Sequence, residues 1–288
     1  SEDKVLVKLR NGDELSGEVI IGAGGSYDLV SKRIREIENM PMNWRDEDIA
    51  MALYFEVDVG REFMDEVYGE ERISMAHIKY DGLDGYGWSF SKDTVLNVGI
   101  GCPRNIIKKL KSEKKGWSER KYLLDYVETL KEQGWFPKDI EVDRKMISGA
   151  NIPVGMGMSC TVGDRMMVVG DAGGFVSPLS GEGLYYALDS GRLAAESLDV
   201  LFPEGNFNKQ DLMHYHRAWS SKWGDDLEWL KVGWHLLMVM PNSLIKYAAL
   251  DEETKEFFTH MFVGSMPAAK IKNKVLALIA KGVLKHEV

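Results

Sequence analysis

The first apolar positions alternate with charge. Val5, Val7 and Leu9 are separated by Leu6 and Lys8 and flanked by Lys4 and Arg10, with Leu6 the exception, and Asn11-Gly12 follows. Alternation that runs into Asn-Gly predicts a hairpin closed by a tight two-residue turn, because both residues tolerate positive φ. Val19–Ile21 is an apolar strand entering glycines, and Ser26 to Glu38 is a short helix. Period-2 stretches at 49–59, 72–80, 85–90 and 94–100, separated by Asp/Gly turns, predict one antiparallel sheet. Helical spacing returns at 118–133, where Tyr122, Leu123, Tyr126, Val127 and Leu130 share a face and Ser118 is placed to cap. A strand is expected at 141–148. "DRMMVVGDAGGF" then reads as a buried strand running into glycines, "GEGLYYALDSGRLAAESL" as a helix, and the chain from Asn208 onward as helix broken near Gly224, Pro241 and Pro267.

This order predicts an α/β fold of α+β character, with one domain interrupted by another. The expected segments are 1–45 and 149–202 as two pieces of a Rossmann-like domain, 46–148 as an antiparallel-sheet domain, and 203–288 as C-terminal helices. Ser1 stands almost directly before a strand, which reads as a trimmed or partial chain.

Composition narrows the function. The 288 residues are 44% hydrophobic and carry a net charge of -9, which argues against general nucleic-acid binding. Cys102 and Cys160 offer no disulfide framework or metal-ligand spacing, and His214 and His216, two apart, point to different sides of a helix. The charged start and the lack of a long apolar run lead to a cytoplasmic expectation. The tail from Pro267 interleaves lysines with Ile271, Val275, Leu276, Leu278 and Val283, either a solvated amphipathic helix or a surface for anionic lipid headgroups.

Gly-x-Gly occurs at Gly22, Gly85, Gly99, Gly155 and Gly181, in each case without the third glycine of a dinucleotide fingerprint; after Gly22 its place holds Tyr27, expected to obstruct helix–strand packing. The richer segment is Gly170 to Leu184. Asp171 stands where a strand stops and suits sugar-type hydroxyls. Ala172, Gly173 and Gly174 leave room for a ligand, Pro178 stiffens the loop, and Gly181-Glu182-Gly183 opens a helix whose free N–H groups face outward. Glu182 is a candidate proton donor, or simply a carboxylate drawn to a helix N-terminus.

"VVGDAGGFVSPLSGEGLYYALDSG" resembles the second flavin-binding motif of the geranylgeranyl reductase family, FAD-dependent oxidoreductases with a para-hydroxybenzoate-hydroxylase-like fold. "VIIGAGGSYDLV" is similar to that group's middle motif: Gly22, Ala23, Gly25 and Val30 match, while Gly24 replaces an aspartate, Asp28 a serine and Ser31 an arginine. "GYGWSFSKDTVLNVGIG" resembles its lipid-site motif through Tyr86, Trp88, Phe90, Gly99 and Gly101, with Leu83 and Ser91 in place of prolines. The resemblance implies that the first dinucleotide fingerprint lies upstream of this chain, that Gly22, Gly25 and the Gly170–Leu184 segment bind FAD, and that the function is reduction of isoprenoid double bonds in a lipid or chlorophyll-type substrate. An external donor, NADPH or ferredoxin, is implied, and the lysine-rich tail adds the expectation of peripheral membrane contact. A flavin-dependent monooxygenase or halogenase of the same fold and a non-catalytic isoprenoid-binding protein remain as alternatives. Tyr86, Trp88 and Phe90, alternating on a strand, form one aromatic wall: either part of a tunnel reaching Gly181–Gly183 or a closed core under the helix at 118–133.

Overall fold

The computed structural model describes residues 4–242, 245–246, 252–262, 272–273 and 276–277. The chain divides into two compact units, 46–152 and the remainder.

The first unit begins with a hairpin of β1 (Val5–Lys8) and β2 (Glu14–Gly17). Its turn is not the two-residue type. The Leu9 N–H donates to Asp13 O and the Gly12 N–H to Leu9 O, and Gly12 alone takes positive φ (95°), so the loop is three residues closed by a glycine bulge. Asn11 and Asp13 exchange hydrogen bonds across it, which keeps Asn11 at negative φ. Strands β3 (Ile20–Gly22), β10 (Met166–Val168) and β9 (Val162–Gly163) form a small sheet of order β3-β10-β9, and β10 runs parallel to β3. Helix α1 (Leu29–Ile37) follows β3, and α5 (Leu184–Leu201) follows β10 after the glycine-rich segment.

Helices α6 (Lys209–Trp219) and α7 (Asp225–Val239) are joined by a π-helical turn, Ser220–Gly224, so Gly224 does not break the helix. Within that turn Lys222 Nζ and Trp223 Nε1 both donate to the Asp189 carboxylate of α5, which also receives Arg192. His214 is exposed, whereas His216 faces inward with Nδ1 3.0 Å from Thr161 Oγ1. The unit's main core gathers Phe175, Tyr186, Leu212, Tyr215, Trp219, Trp223 and Leu227. A further helix, α8 (Glu252–Phe262), lies in the C-terminal region, while most of the lysine-rich tail lies outside the described residues.

The second unit is a five-stranded sheet of order β5-β6-β7-β4-β8: β4 (Ile49–Asp58), β5 (Met75–Ile78), β6 (Tyr86–Lys92), β7 (Val95–Pro103) and β8 (Ser148–Pro153). The last strand begins where the pattern ends one, because Arg144–Met146 forms a 3-10 turn capped by Asp143. Two helices escape the sequence pattern, α2 (Arg61–Tyr68) and α3 (Arg104–Glu113). α4 (Glu119–Glu132) matches it, and Ser118 Oγ accepts from the Lys121 N–H as an N-cap.

The register separates the two faces of this sheet. Leu96, Val98, Ile100 and Cys102 of β7 join Phe55 of β4 and Tyr122, Leu123, Tyr126, Val127 and Leu130 of α4 in one core. On β6 that face carries Gly87 and Ser89. A methyl at Gly87 would sit 2.7 Å from the Tyr126 ring, and Ser89 Oγ lies 2.6 Å from Tyr68 Oη. Tyr86, Trp88 and Phe90 therefore point to the opposite face, so α4 does not cover the aromatic wall.

Candidate functional site

Parallel pairing of β3 with β10 sets Met166 against Ile20 and Val168 against Gly22. The Val169 N–H donates to Gly22 O at 3.0 Å, extending the pairing to the ends of both strands. Two glycine turns far apart in sequence thus leave the carboxyl ends of neighbouring parallel strands side by side, the position where open α/β sheets bind ligands.

The first turn closes on Asp28. This residue caps α1, with Oδ1 accepting from the Ser31 N–H (2.7 Å) and Oδ2 from the Gly24 N–H (2.9 Å). A methyl at Gly22 would overlap the Asp28 carboxylate and sit 2.7 Å from Val30 Cβ, so strand and helix approach closely here because Gly22 has no side chain. Tyr27 turns outward, 54% exposed, and does not obstruct that packing. Gly25, at φ 75°, has open space around it. Sequence reasoning placed Asp28 only as a departure from the family's serine. Its role was readable from an aspartate, a preferred N-cap residue, standing directly before an amphipathic helix.

The second turn is a 3-10 segment, Gly170–Gly173, ended by Gly174 at φ 77°. Ser190 Oγ of α5 accepts the Gly170 N–H (2.9 Å), and Tyr215 Oη donates to Val168 O (2.7 Å), holding turn, strand and helices together. Ala172, Gly173, Gly174 and Pro178 are buried in this framework. The Asp171 side chain is half-buried, with Oδ1 beside Gly183, and among the described residues no other side chain pairs with it. Burial holds its carboxyl above the ordinary aspartate range. An accessible carboxylate at a strand end, with glycines around it, fits the hydroxyls of a flavin's ribityl or ribose portion.

At the start of α5, Gly181 takes φ 74° and Leu184 is exposed. Glu182 Oε1 accepts the Tyr185 N–H at 2.9 Å, a helix-capping bond, while Oε2 is buried without a hydrogen-bond partner. The electrostatic role of Glu182 at a helix end is thus present, and one oxygen is left over.

The aromatic residues belong to the second unit. Tyr86, Trp88 and Phe90 stand opposite Gly101, Gly99 and Asn97 of β7. The Trp88 indole lies across both glycines. A methyl at Gly99 would overlap its ring, and one at Gly101 would touch it at 3.4 Å. The ring is fixed by Nε1 donating to Asn97 Oδ1 (2.7 Å) and by stacking on Phe90 at 5.9 Å, with Tyr86 5.6 Å on the other side. Gly99 and Gly101 are therefore the floor on which the aromatic wall lies. Cys102 faces the other way into the α4 core, where burial pushes its thiol up to about 12. Among the described residues no cluster of potential ligands could hold a metal, and no helix is long and apolar enough to cross a membrane.

No protein-family model matches the chain. It is 32% identical over 219 residues to the digeranylgeranylglycerophospholipid reductase of Methanoculleus marisnigri, a match covering 75% of this chain and 48% of that protein. It is 28% identical over 201 residues to the menaquinone reductase of Mycobacterium tuberculosis, covering 68% of this chain and 44% of that protein. The chain thus spans less than half the length of these relatives. Its fold superposes with a TM-score of 0.68, at 17% identity, on a geranylgeranyl bacteriochlorophyll reductase-like protein of Thermoplasma acidophilum, covering 97% of this chain and 66% of that one. By sequence the chain is thus similar to reductases of the geranylgeranyl type over less than half of their length, and by fold to a geranylgeranyl bacteriochlorophyll reductase-like protein.

Proposed function

We propose that this chain acts in a reductase that saturates isoprenoid double bonds, of geranylgeranyl type, in a lipid or chlorophyll-type substrate. The observation that carries the reading is the pair of glycine turns at the ends of β3 and β10. FAD, when bound and reduced, supplies the hydride. Asp171 binds sugar-chain hydroxyls. Gly22, Gly25 and Gly170–Gly174 let the backbone approach, and Gly181 and Gly183 leave the α5 N-terminus open. Tyr86, Trp88 and Phe90, laid over Gly99 and Gly101 with the Trp88 ring buried, would line the path of a prenyl chain. An isolated alkene has no carbonyl to polarise, so these residues act by orientation and exclusion of water.

Glu182 is the proposed acid. Its two oxygens divide the work: Oε1 takes the Tyr185 N–H, and Oε2, buried without a hydrogen-bond partner, is left as the atom that would deliver a proton. The electron donor, NADPH or ferredoxin, would be an external partner. The reading is tested by supplying reduced flavin and a geranylgeranyl lipid to the full-length protein without oxygen and weighing the product. Gain of two hydrogens per double bond supports it. Incorporation of oxygen or halide under aerobic conditions, with no saturation, points to the monooxygenase or halogenase reading. Prenyl binding with no flavin bound points to the non-catalytic one.

A further inference from the structure

Arg35 carries an unanswered donor. It lies on the inward face of α1 and is only 5% exposed. Nη1 donates to Pro41 O at 2.9 Å, and the guanidinium carbon sits 4.1 Å from the centroid of the Trp44 ring. Nη2 is buried and has no hydrogen-bond partner. No acidic side chain among the described residues pairs with this guanidinium, and burial alone lowers its proton affinity. A buried cation without a counter-charge is costly, and buried polar groups in folded proteins are almost always answered.

The surroundings tie this donor to the two glycine turns. Trp44 Nε1 donates to Ser26 O in the first turn at 3.2 Å. The Trp44 ring packs so closely on Gly174 of the second turn that a methyl there would overlap it. The cation–π contact with Trp44 and the bond to Pro41 hold the guanidinium against a ring that touches both turns. Met40 and Met158, in the apolar cluster that contains Trp44, are unbranched side chains that can swing aside to admit a ligand.

We propose that Arg35 Nη2 is the donor of an anion subsite beneath the paired glycine turns, taking a phosphate oxygen. Two sources share that chemistry: the pyrophosphate of a dinucleotide cofactor and a phosphate that arrives independently, free or on a lipid headgroup. The subsite does not depend on the substrate named above. Only its first source rests on flavin binding.

The full-length protein is titrated at constant ionic strength with inorganic phosphate, FAD and riboflavin, and thermal unfolding and ligand affinity are followed. The same titrations are made on Arg35→Gln and Arg35→Lys, whose folding is checked by circular dichroism. If the cofactor is the source, FAD binding weakens about tenfold or more in Arg35→Gln, as expected for loss of a charge-assisted bond, while riboflavin binding is unchanged. If the phosphate is independent, inorganic phosphate stabilises the parent saturably and Arg35→Gln loses that effect. Should both variants fail to fold, the side-chain 15N resonances of Arg35 in the parent serve instead, and a shift of the Nη2 signal on adding phosphate or FAD supports the subsite. An adventitious ion only, bound equally by parent and Arg35→Gln, overturns the proposal, as does a parent whose Arg35 signals and stability ignore both phosphate and FAD. A protein that binds no flavin but shows Arg35-dependent phosphate binding would sink the cofactor reading while leaving the subsite standing.

Discussion

Asp171→Ala removes a carboxylate that no other side chain of the described structure uses, so the fold should survive it. Flavin affinity should fall by roughly ten- to a hundredfold, about 1.5–3 kcal/mol for one charge-assisted hydrogen bond. Equilibrium titration of the full-length protein checks this, and unchanged affinity would remove Asp171 from the site. Glu182→Gln separates cap from acid. The amide oxygen can still accept the Tyr185 N–H, so helix and flavin binding should persist. Turnover should drop by about a hundredfold or more if Oε2 delivers the proton. Full turnover in this variant would leave Glu182 as a cap alone. At Gly99 the added methyl of Gly99→Ala meets the Trp88 ring and, at 2.7 Å, Leu53 O. The indole must move, and overpacking of this kind costs about 1–3 kcal/mol. A chemical melt of the variant should show that loss together with an altered Trp88 environment.

At the scale of elements, the two faces of the second unit's sheet make different predictions. Phe136→Ala opens the core on the α4 side, where Phe136 meets Phe55 edge-on at 6.1 Å, and should cost about 3–5 kcal/mol. Trp88→Ala, on the far face, also removes a buried ring and should lose stability, but unlike Phe136→Ala it should weaken binding of a geranylgeranyl chain. A Trp88→Ala variant as destabilised as Phe136→Ala, with prenyl binding intact, would make the wall an ordinary core. The α4 face also carries a titrating group. His77 Nδ1 lies 2.9 Å from Tyr126 Oη, and burial lowers the imidazole below its ordinary value. The unfolded chain therefore takes up the proton first. Stability is unaffected by this group well above pH about 6.5 and falls as pH drops from there through the lowered folded value. Denaturant midpoints between pH about 7 and 5 should fall more steeply in the parent than in His77→Gln, and parallel slopes would exclude the effect.

Elements with strong local signals were legible in the sequence. Ser118 and the apolar spacing of α4, the alternation of β4, β6 and β7, and the Gly170 segment are all carried by residues close together in the chain. What the sequence hid depends on distant partners. The parallel pairing of β3 with β10 joins residues 20–22 to 166–168, and no local pattern reports it. The choice of face for Trp88 depended on the register that sets it opposite Gly99. Helices α2 and α3 were missed because they are short and charged, and the two-residue turn at Asn11-Gly12 gave way to hydrogen bonding between Asn11 and Asp13. Arg35 reads in sequence as one more cation on an amphipathic helix; its burial against Trp44 emerges only from the fold.

On the scale of the whole molecule, each unit has its own core, and 46–152 is continuous in sequence. Expressed alone, that segment should fold with a cooperative melt and keep its aromatic wall. The first unit is built from two stretches of chain that meet through β3 and β10, so its turns form only when both stretches are present. The central claim concerns what this assembly does to an alkene, and it is tested most directly by mass. Full-length protein, reduced flavin and a geranylgeranyl lipid are incubated without oxygen, and the product is analysed by mass spectrometry. The account predicts products heavier by two hydrogens for each double bond reduced, with Asp171→Ala needing roughly ten- to a hundredfold more flavin for the same yield. A flavin-loaded protein that leaves every double bond intact under these conditions would contradict it.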